Sequence, residues 1–245
     1  MKKINGLTLI TISIILSLGL IVSSYMAVEG VKSIKSAPKS LTVTGSAKRE
    51  IKSDVIVWQG SFSVDAPDMT SGYVALKENA ETVKKYFSEK GIKPEEITFS
   101  SVDTYTRNRI LDNGVYTNIV ESYNLSQTVK INSTRVLEVA EIGRNSTELI
   151  EQGINFTSNN PQYFYSKLAD LKIEMIGLAT EDSKARAEAM VAVTGNQIGM
   201  LQSARVGVFQ ITSLYSNEID DYGINDTSTY EKEITAVVTC DFEVK

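Results

Sequence analysis

The sequence predicts an α+β fold. Three observations point to it. Within residues 231–244, every second residue from Ile234 to Val244 is apolar and those between are mostly polar, the mark of a strand with one buried face. Residues 68–91 repeat apolar side chains at three-and-four spacing, the mark of a helix with one buried face. Strand patterns also come in runs between helices instead of alternating singly with them, which favours α+β over a doubly wound parallel sheet.

The chain opens on a nearly unbroken apolar run over residues 7–28, preceded by Lys2 and Lys3. About 20 apolar residues suffice to cross the hydrocarbon core, and this run has that length. It reads first as an uncleaved signal anchor over residues 1–30 and second as a cleaved signal peptide. Tyr25 is poorly placed for a cut after Ala27, whereas Val22 suits a cut after Ser24. The run shows no polar face, so a buried core helix fits less well, and with no cysteine at its end no lipid anchor can form there. Lys32, Lys35 and Lys39 beyond the run balance the lysines before it, so the charge rule barely fixes orientation. The domain is placed outside the cytoplasm because the N-terminal tail is too short to be the working part. Residues 31–40, rich in Ser and Lys with one Pro, read as a tether.

A strand begins at residues 41–45 and a second covers 55–64. Asp68 is placed to cap a helix whose inner face is Tyr73, Leu76, Ala80, Val83 and Phe87; Gly91 ends it and Pro94 prevents its continuation. Strands over 97–109 and 115–131 flank Asp112-Asn113-Gly114, whose residues suit a tight hairpin. A helix over 134–151 and a strand around 154–165 follow. The longest helix covers 167–194, with Ile173, Ile176, Ala179, Ser183, Ala187 and Met190 on its inner face. Strands over 205–215 and 231–244 close the chain, the last burying Ile234, Ala236, Val238, Cys240, Phe242 and Val244.

Composition restricts the chemistry. The 245 residues include no histidine, which removes the commonest proton shuttle and metal ligand, and a single cysteine, Cys240, which excludes an internal disulfide and a thiolate zinc site. A net charge of −5 with interleaved signs argues against a nucleic-acid partner. Glu218, Asp220, Asp221 and Asp226 could gather oxygens around Ca²⁺, but Asp220-Asp221-Tyr222-Gly223 lacks the spacing of a calcium loop, and a solvated loop is the better reading. Gly195-Asn196-Gln197-Ile198-Gly199 follows a helix instead of preceding one, so it reads as a C-cap and turn, not a phosphate loop. Cys240 lies on the apolar side of its strand, where a thiol behaves as a small hydrophobe. Asn-x-Ser/Thr triplets at Asn124, Asn132, Asn145, Asn155 and Asn225 are those a Ser-, Thr- and Asn-rich chain yields by chance. No residue is assigned a catalytic, cofactor-binding or metal-binding role. The eleven tyrosines, among them Tyr105, Tyr116, Tyr123, Tyr163, Tyr165, Tyr215, Tyr222 and Tyr230, suit strand faces or protein interfaces.

Four stretches occur in order: Leu41-Thr42-Val43-Thr44-Gly45-Ser46-Ala47 with the apolar strand after it; the helix containing Asn79 and closing on Gly91-Ile92; Gly153-Ile154-Asn155-Phe156 with Ser158-Asn159; and Lys184-Ala185-Arg186-Ala187-Glu188-Ala189-Met190 leading into Gly195-Asn196-Gln197-Ile198-Gly199. Together they resemble the SIMPL-domain family of bacterial envelope proteins. The resemblance implies a two-lobed sandwich of antiparallel sheets packed by amphipathic helices, here residues 41–132 and 133–245. Some relatives assemble into rings or channels and others are linked to envelope or oxidative-stress tolerance. The expectation is therefore a non-enzymatic envelope protein acting by self-assembly or partner binding, a homo-oligomer attached to a membrane through residues 7–28. The alternatives are a hydrolase with a carboxylate site and a small-molecule or lipid carrier.

Overall fold

A computed structural model describes the backbone of residues 6–35 and 39–245, and the side chains of residues 10, 14–28 and 39–245. Among these the protein is α+β, with two β-sheets and four α-helices. It divides into two compact units, each discontinuous in sequence: Met1–Gly45, Glu181–Arg205 and Thr239–Lys245 form one, and Ser46–Thr180 with Val206–Val238 form the other.

Helix α1 spans Gly6–Lys35. Its described side chains, at residues 10 and 14–28, are all exposed. Among the described residues no helix is long and apolar enough to cross a membrane. The anchor predicted over 7–28 also includes side chains, at 7–9 and 11–13, that lie outside the described ones, and residues 36–38 of the predicted tether lie outside the described backbone.

Strands β1 (Ser40–Lys52) and β2 (Val55–Ala66) lead into α2 (Met69–Glu89). Asp68 starts α2 as expected: its carboxylate accepts from the Thr70 and Ser71 amides at 3.0 and 2.9 Å, satisfying two of the donors a helix start leaves open. Gly91 stops it with φ +84°, and the Ile92 amide reaches back to the Phe87 carbonyl at 2.9 Å. The buried face is Gly72, Leu76, Val83, Tyr86 and Phe87. Tyr73, expected on that face, is exposed. Its neighbour Gly72 takes the inner place because the first turn comes so close to Leu125 that a Cβ there would lie 2.5 Å from Cδ1.

Strands β3 (Ile97–Phe99), β4 (Asp103–Ile110) and β5 (Tyr116–Ser133) replace the two strands predicted here. The break at 100–102 is local: the Ser100 amide still reaches the Thr128 carbonyl, but its hydroxyl turns to the Ser101 carbonyl. The predicted Asp112-Asn113-Gly114 turn is present, with Gly114 at φ +80° and the Val115 amide bonded to the Asn113 side chain at 3.1 Å. Helix α3 (Val136–Asn145) ends in a 3-10 turn over Ser146–Ile150. Strands β6 (Asn155–Ser158) and β7 (Gln162–Phe164) follow. In the six-stranded sheet the order is β3-β5-β2-β6, with β4 also on β5 and β7 also on β2. These pairings are antiparallel, and Ala66 faces Tyr123 where β2 and β5 part.

The core of this unit forms where α2 and α3 cover β2 and β5. Ile56, Trp58 and Phe62 from β2 meet Leu76, Val83 and Phe87 from α2 and Val139 from α3. Each large side chain removed from water contributes on the order of 1.5–3 kcal/mol, so this cluster dominates the unit's stability.

Helix α4 (Leu168–Ala192) is where periodicity misleads most. Ala179, Ser183 and Ala187 are buried as expected, but Ile173 and Met190 are exposed. The buried stripe is Leu171, Met175, Ala179, Ser183, Ala187 and Val191, a strict spacing of four. Apolar residues occur all round this helix, so spacing alone does not select a face.

The five-stranded sheet contains β1, β8 (Ile198–Val206), β9 (Gln210–Ser213), β10 (Ile224–Asn225) and β11 (Glu231–Val244). Its order is β1-β11-β9-β10, with β8 also on β11. It is mixed, not purely antiparallel: β11 runs antiparallel to β9, but β10 runs parallel, Ile224 opposite Gln210. The single strand predicted over 205–215 is two strands separated at 207–209. β11 buries Ile234, Ala236, Val238, Cys240 and Phe242 in the predicted register, with Val244 half-buried.

Candidate functional site

Lys232 extends the buried face of β11 by one polar residue, and its side chain is almost wholly enclosed. Its ammonium donates to the Tyr163 carbonyl of β7 at 2.6 Å and to the Asp226 carbonyl, tying one sheet to the other within this unit. Burial pushes its pKa down, partly opposed by the Asp226 carboxylate. Burial also opposes the charge on Asp226, but bonds from Ser228 and Thr229 overcome it and hold that carboxyl below its usual range. Alternation across β11 marks position 232 as inward-facing, but a lysine there carries no sign of burial in the sequence. The small cavity beside it, lined by Ile51, Phe164 and Leu168, holds about 40 Å³, room for water and not for a lipid.

A second polar cluster surrounds Glu96. Its carboxylate accepts from the Ser133 hydroxyl, from the Lys93 amide at 3.0 Å and from Arg135 at 2.7 Å. Burial resists the charge most strongly, yet these donors together hold the carboxyl down at about 2. Arg135 also donates to the Gly91 carbonyl at 3.0 Å, so the cluster joins the end of α2 to the start of α3. On the other side of α3, burial and then Glu148 push the Tyr86 hydroxyl up to about 12.

The acids singled out in the sequence sit in and after the 214–223 loop. Glu218, Asp220 and Asp221 are exposed. The Asp220 carboxylate accepts from the Tyr222 amide at 2.7 Å, while Asp226 turns to Ser228 and Thr229. Among the described residues no group of three acids or thiols is placed to hold a metal ion. The loop forms one wall of a cleft of about 600 Å³ whose apolar side chains are Val208, Ile219 and Val237. Glu233 lies on the opposite wall, paired with Lys48 at 2.7 Å.

Gly195 stands just past α4 with φ +74°, and the Asn196 amide bonds back to the Val191 carbonyl at 3.1 Å, a helix C-cap as read from the sequence. Cys240 is free and fully buried. Asn124 and Asn155 spend their amides on Asp65 and Ser63 of β2. Tyr163 and Tyr230 pack edge-to-face at 6.3 Å, and Tyr123 lies against the core. Tyr105, Tyr116, Tyr215 and Tyr222 are exposed, as are Tyr25 and Tyr73, with Tyr215 and Tyr222 the most so at 90% and 95%.

Tyr105 and Tyr116 belong to the most unusual surface. Residues 116–122 of β5 pair only with β4, because pairing with β2 starts at Tyr123. The result is a two-stranded arm with Ile110, Leu111, Val115, Ile119 and Val120 exposed alongside the tyrosines. Scattered exposed apolar residues are ordinary, whereas this many on one short hairpin make it a candidate contact surface. A hairpin with turn residues is legible in the sequence; that its far half has no third strand is not.

Residues 41–242 match the family description SIMPL, a protein of unknown function (DUF541). The chain belongs to the SIMPL family. The match extends over β1 to β11, so it includes the arm, the cleft and both polar clusters of this SIMPL protein. No curated protein matches the chain.

Proposed function

We propose that this SIMPL protein is an envelope protein, held at a membrane by α1 with its domain outside the cytoplasm, that works by self-assembly or partner binding and not by catalysis. The observation that carries the reading is the exposed apolar arm of β4 and β5. A two-stranded ribbon is at best marginally stable in water, and covering its apolar side chains gives it a partner's packing. The membrane attachment is supported by α1: its described side chains are apolar nearly all round and exposed. Tethering raises local concentration, so weak contacts between neighbours become effective.

A hydrolase with a carboxylate site would need an acid held protonated near neutral pH. The carboxylates that depart clearly from their ordinary values, Asp54, Asp68, Glu96, Glu148, Glu174, Asp226 and Asp241, all move the other way. Light scattering of the full chain in mild detergent, across a concentration series, tests the reading. The expected result is a mass above one chain that falls on dilution; a single chain at every concentration refutes self-assembly.

A further inference from the structure

The turn between β1 and β2 holds the one buried side-chain polar atom without a partner among the described residues. Ser53 is 3% exposed and its amide donates to the Tyr230 carbonyl at 2.9 Å, but its hydroxyl meets neither donor nor acceptor. Buried polar groups are nearly always bonded, so an exception asks for a reason. Ser53 forms part of the wall of a cleft of about 790 Å³ that lies within a single unit.

Residues 134–138, where α3 begins, form another part of that wall. The first amides of a helix have no partner inside it. At α2 the Asp68 carboxylate takes two of them; at α3 the residue in that place is Arg135, whose guanidinium has no acceptor to offer, and no side chain caps the turn. Unspent donors thus come from two distant stretches of chain: the Ser53 hydroxyl and the first-turn amides of α3. Together they suit a group with two acceptor oxygens.

The charged side chains of the wall decide which group. Lys52 and Arg135 stand against Asp54 and Glu138, two cations against two anions. Each already has a partner: Lys52 pairs with Glu231 at 2.9 Å, Arg135 with Glu96 and Glu138 at 2.7 and 2.8 Å, and Asp54 accepts from the Ser166 amide and hydroxyl at 2.7 and 2.6 Å. Burial resists the charge on Asp54, but the bonds from Ser166 hold its carboxyl below the usual range, so it stays ionised. With no unpaired cation in the wall, Asp54 and Glu138 repel a dianion such as phosphate. A carboxylate carries one charge, which the positive end of the α3 dipole and charge-assisted bonds offset. Val55, Leu137 and Tyr230 line the same cleft and suit an apolar body behind that carboxylate.

We propose that this cleft binds a monocarboxylate with an apolar body, its oxygens accepting from the Ser53 hydroxyl and from the first-turn amides of α3. A free acid and the end of a peptide chain both present that group. The site does not involve the arm, and its failure would leave the assembly reading untouched.

Isothermal titration calorimetry of the full chain, against a detergent blank, is the test. N-acetyl-L-leucine serves as the chain-end probe and isocaproate as the free acid, with N-acetyl-L-leucinamide and inorganic phosphate as controls. Saturable binding of the acids and of neither control is expected, and the tighter acid identifies the source. Ser53→Ala should weaken that binding by about tenfold or more, because a hydrogen bond to a charged group is lost. Its unfolding midpoint should hold or rise, because the variant removes an unsatisfied hydroxyl. Glu138→Gln, at an exposed position, removes a repelling charge and should tighten binding. Equal binding of the amide or of phosphate overturns the carboxylate assignment. No saturation by either acid, or Ser53→Ala binding like the parent, overturns the site. A midpoint that falls together with affinity marks Ser53 as structural and overturns it too.

Discussion

Adding one methyl group at two helical glycines should move stability in opposite directions. Gly143 lies in α3, and a Cβ built there falls 2.6 Å from both Cδ1 and Nε1 of Trp58. The indole has little freedom to withdraw. It stacks on Phe156 at 6.2 Å, leans on Phe87 at 5.3 Å, and donates to the Ser158 hydroxyl at 3.2 Å, which itself donates to the Gly143 carbonyl at 2.7 Å. Overpacking of this kind costs about 1–3 kcal/mol. Alanine in a helix recovers roughly 1 kcal/mol over glycine, so the net loss for Gly143→Ala is about 0–2 kcal/mol, toward the upper end because two indole atoms lie within 2.6 Å. Gly177 in α4 has nothing within 4 Å of its added Cβ, so Gly177→Ala keeps the helical gain of about 0.5–1 kcal/mol. Thermal unfolding followed by Trp58 fluorescence reads both, with about 2–4 °C per kcal/mol for a chain of this size. A higher midpoint for Gly143→Ala, or a lower one for Gly177→Ala, would show that the α3–Trp58 contact is looser than described.

Phe242→Ala, which empties a buried place on β11, should lose about 3–5 kcal/mol in a denaturant titration, while Thr239→Ala on the wetter face, where its hydroxyl meets Thr44 at 3.1 Å, should lose under about 1 kcal/mol; equal losses would mean the strand register is wrong. Glu96, held at about 2 against an ordinary value near 4.5, contributes stability that is complete above pH 4.5 and lost as pH falls toward 2. The difference between the parent and Glu96→Gln should therefore shrink by up to about 3 kcal/mol between pH 6 and pH 2, and a pH-independent difference would exclude the ionised cluster. N-terminal sequencing of membrane-purified protein should find residues 1–30 still attached; a new terminus between Ser24 and Lys35 would replace the anchor with a cleaved signal.

The parts of the fold that obey a local rule were legible. Asp68 and Gly91 bracket α2 because capping and positive φ are decided by single residues, and β11 keeps its register because its alternation has one period and one buried face. The parts set by the partner were not. Gly72 in place of Tyr73 depends on how closely Leu125 approaches, and the four-residue stripe of α4 depends on which of several apolar faces finds a sheet. Burial of Lys232 depends on two carbonyls contributed from distant stretches of chain. The arm follows the same logic: its strands are visible in the sequence, but its exposure results from β2 ending at Ala66 while β5 continues to Tyr116.

The most direct test of the assembly account is the number of chains per particle in a membrane at low copy number. Full-length protein carrying one fluorophore per chain, counted by stepwise photobleaching, should show several steps per spot. Single-step spots for the parent protein, at labelling high enough to reveal pairs, would contradict it.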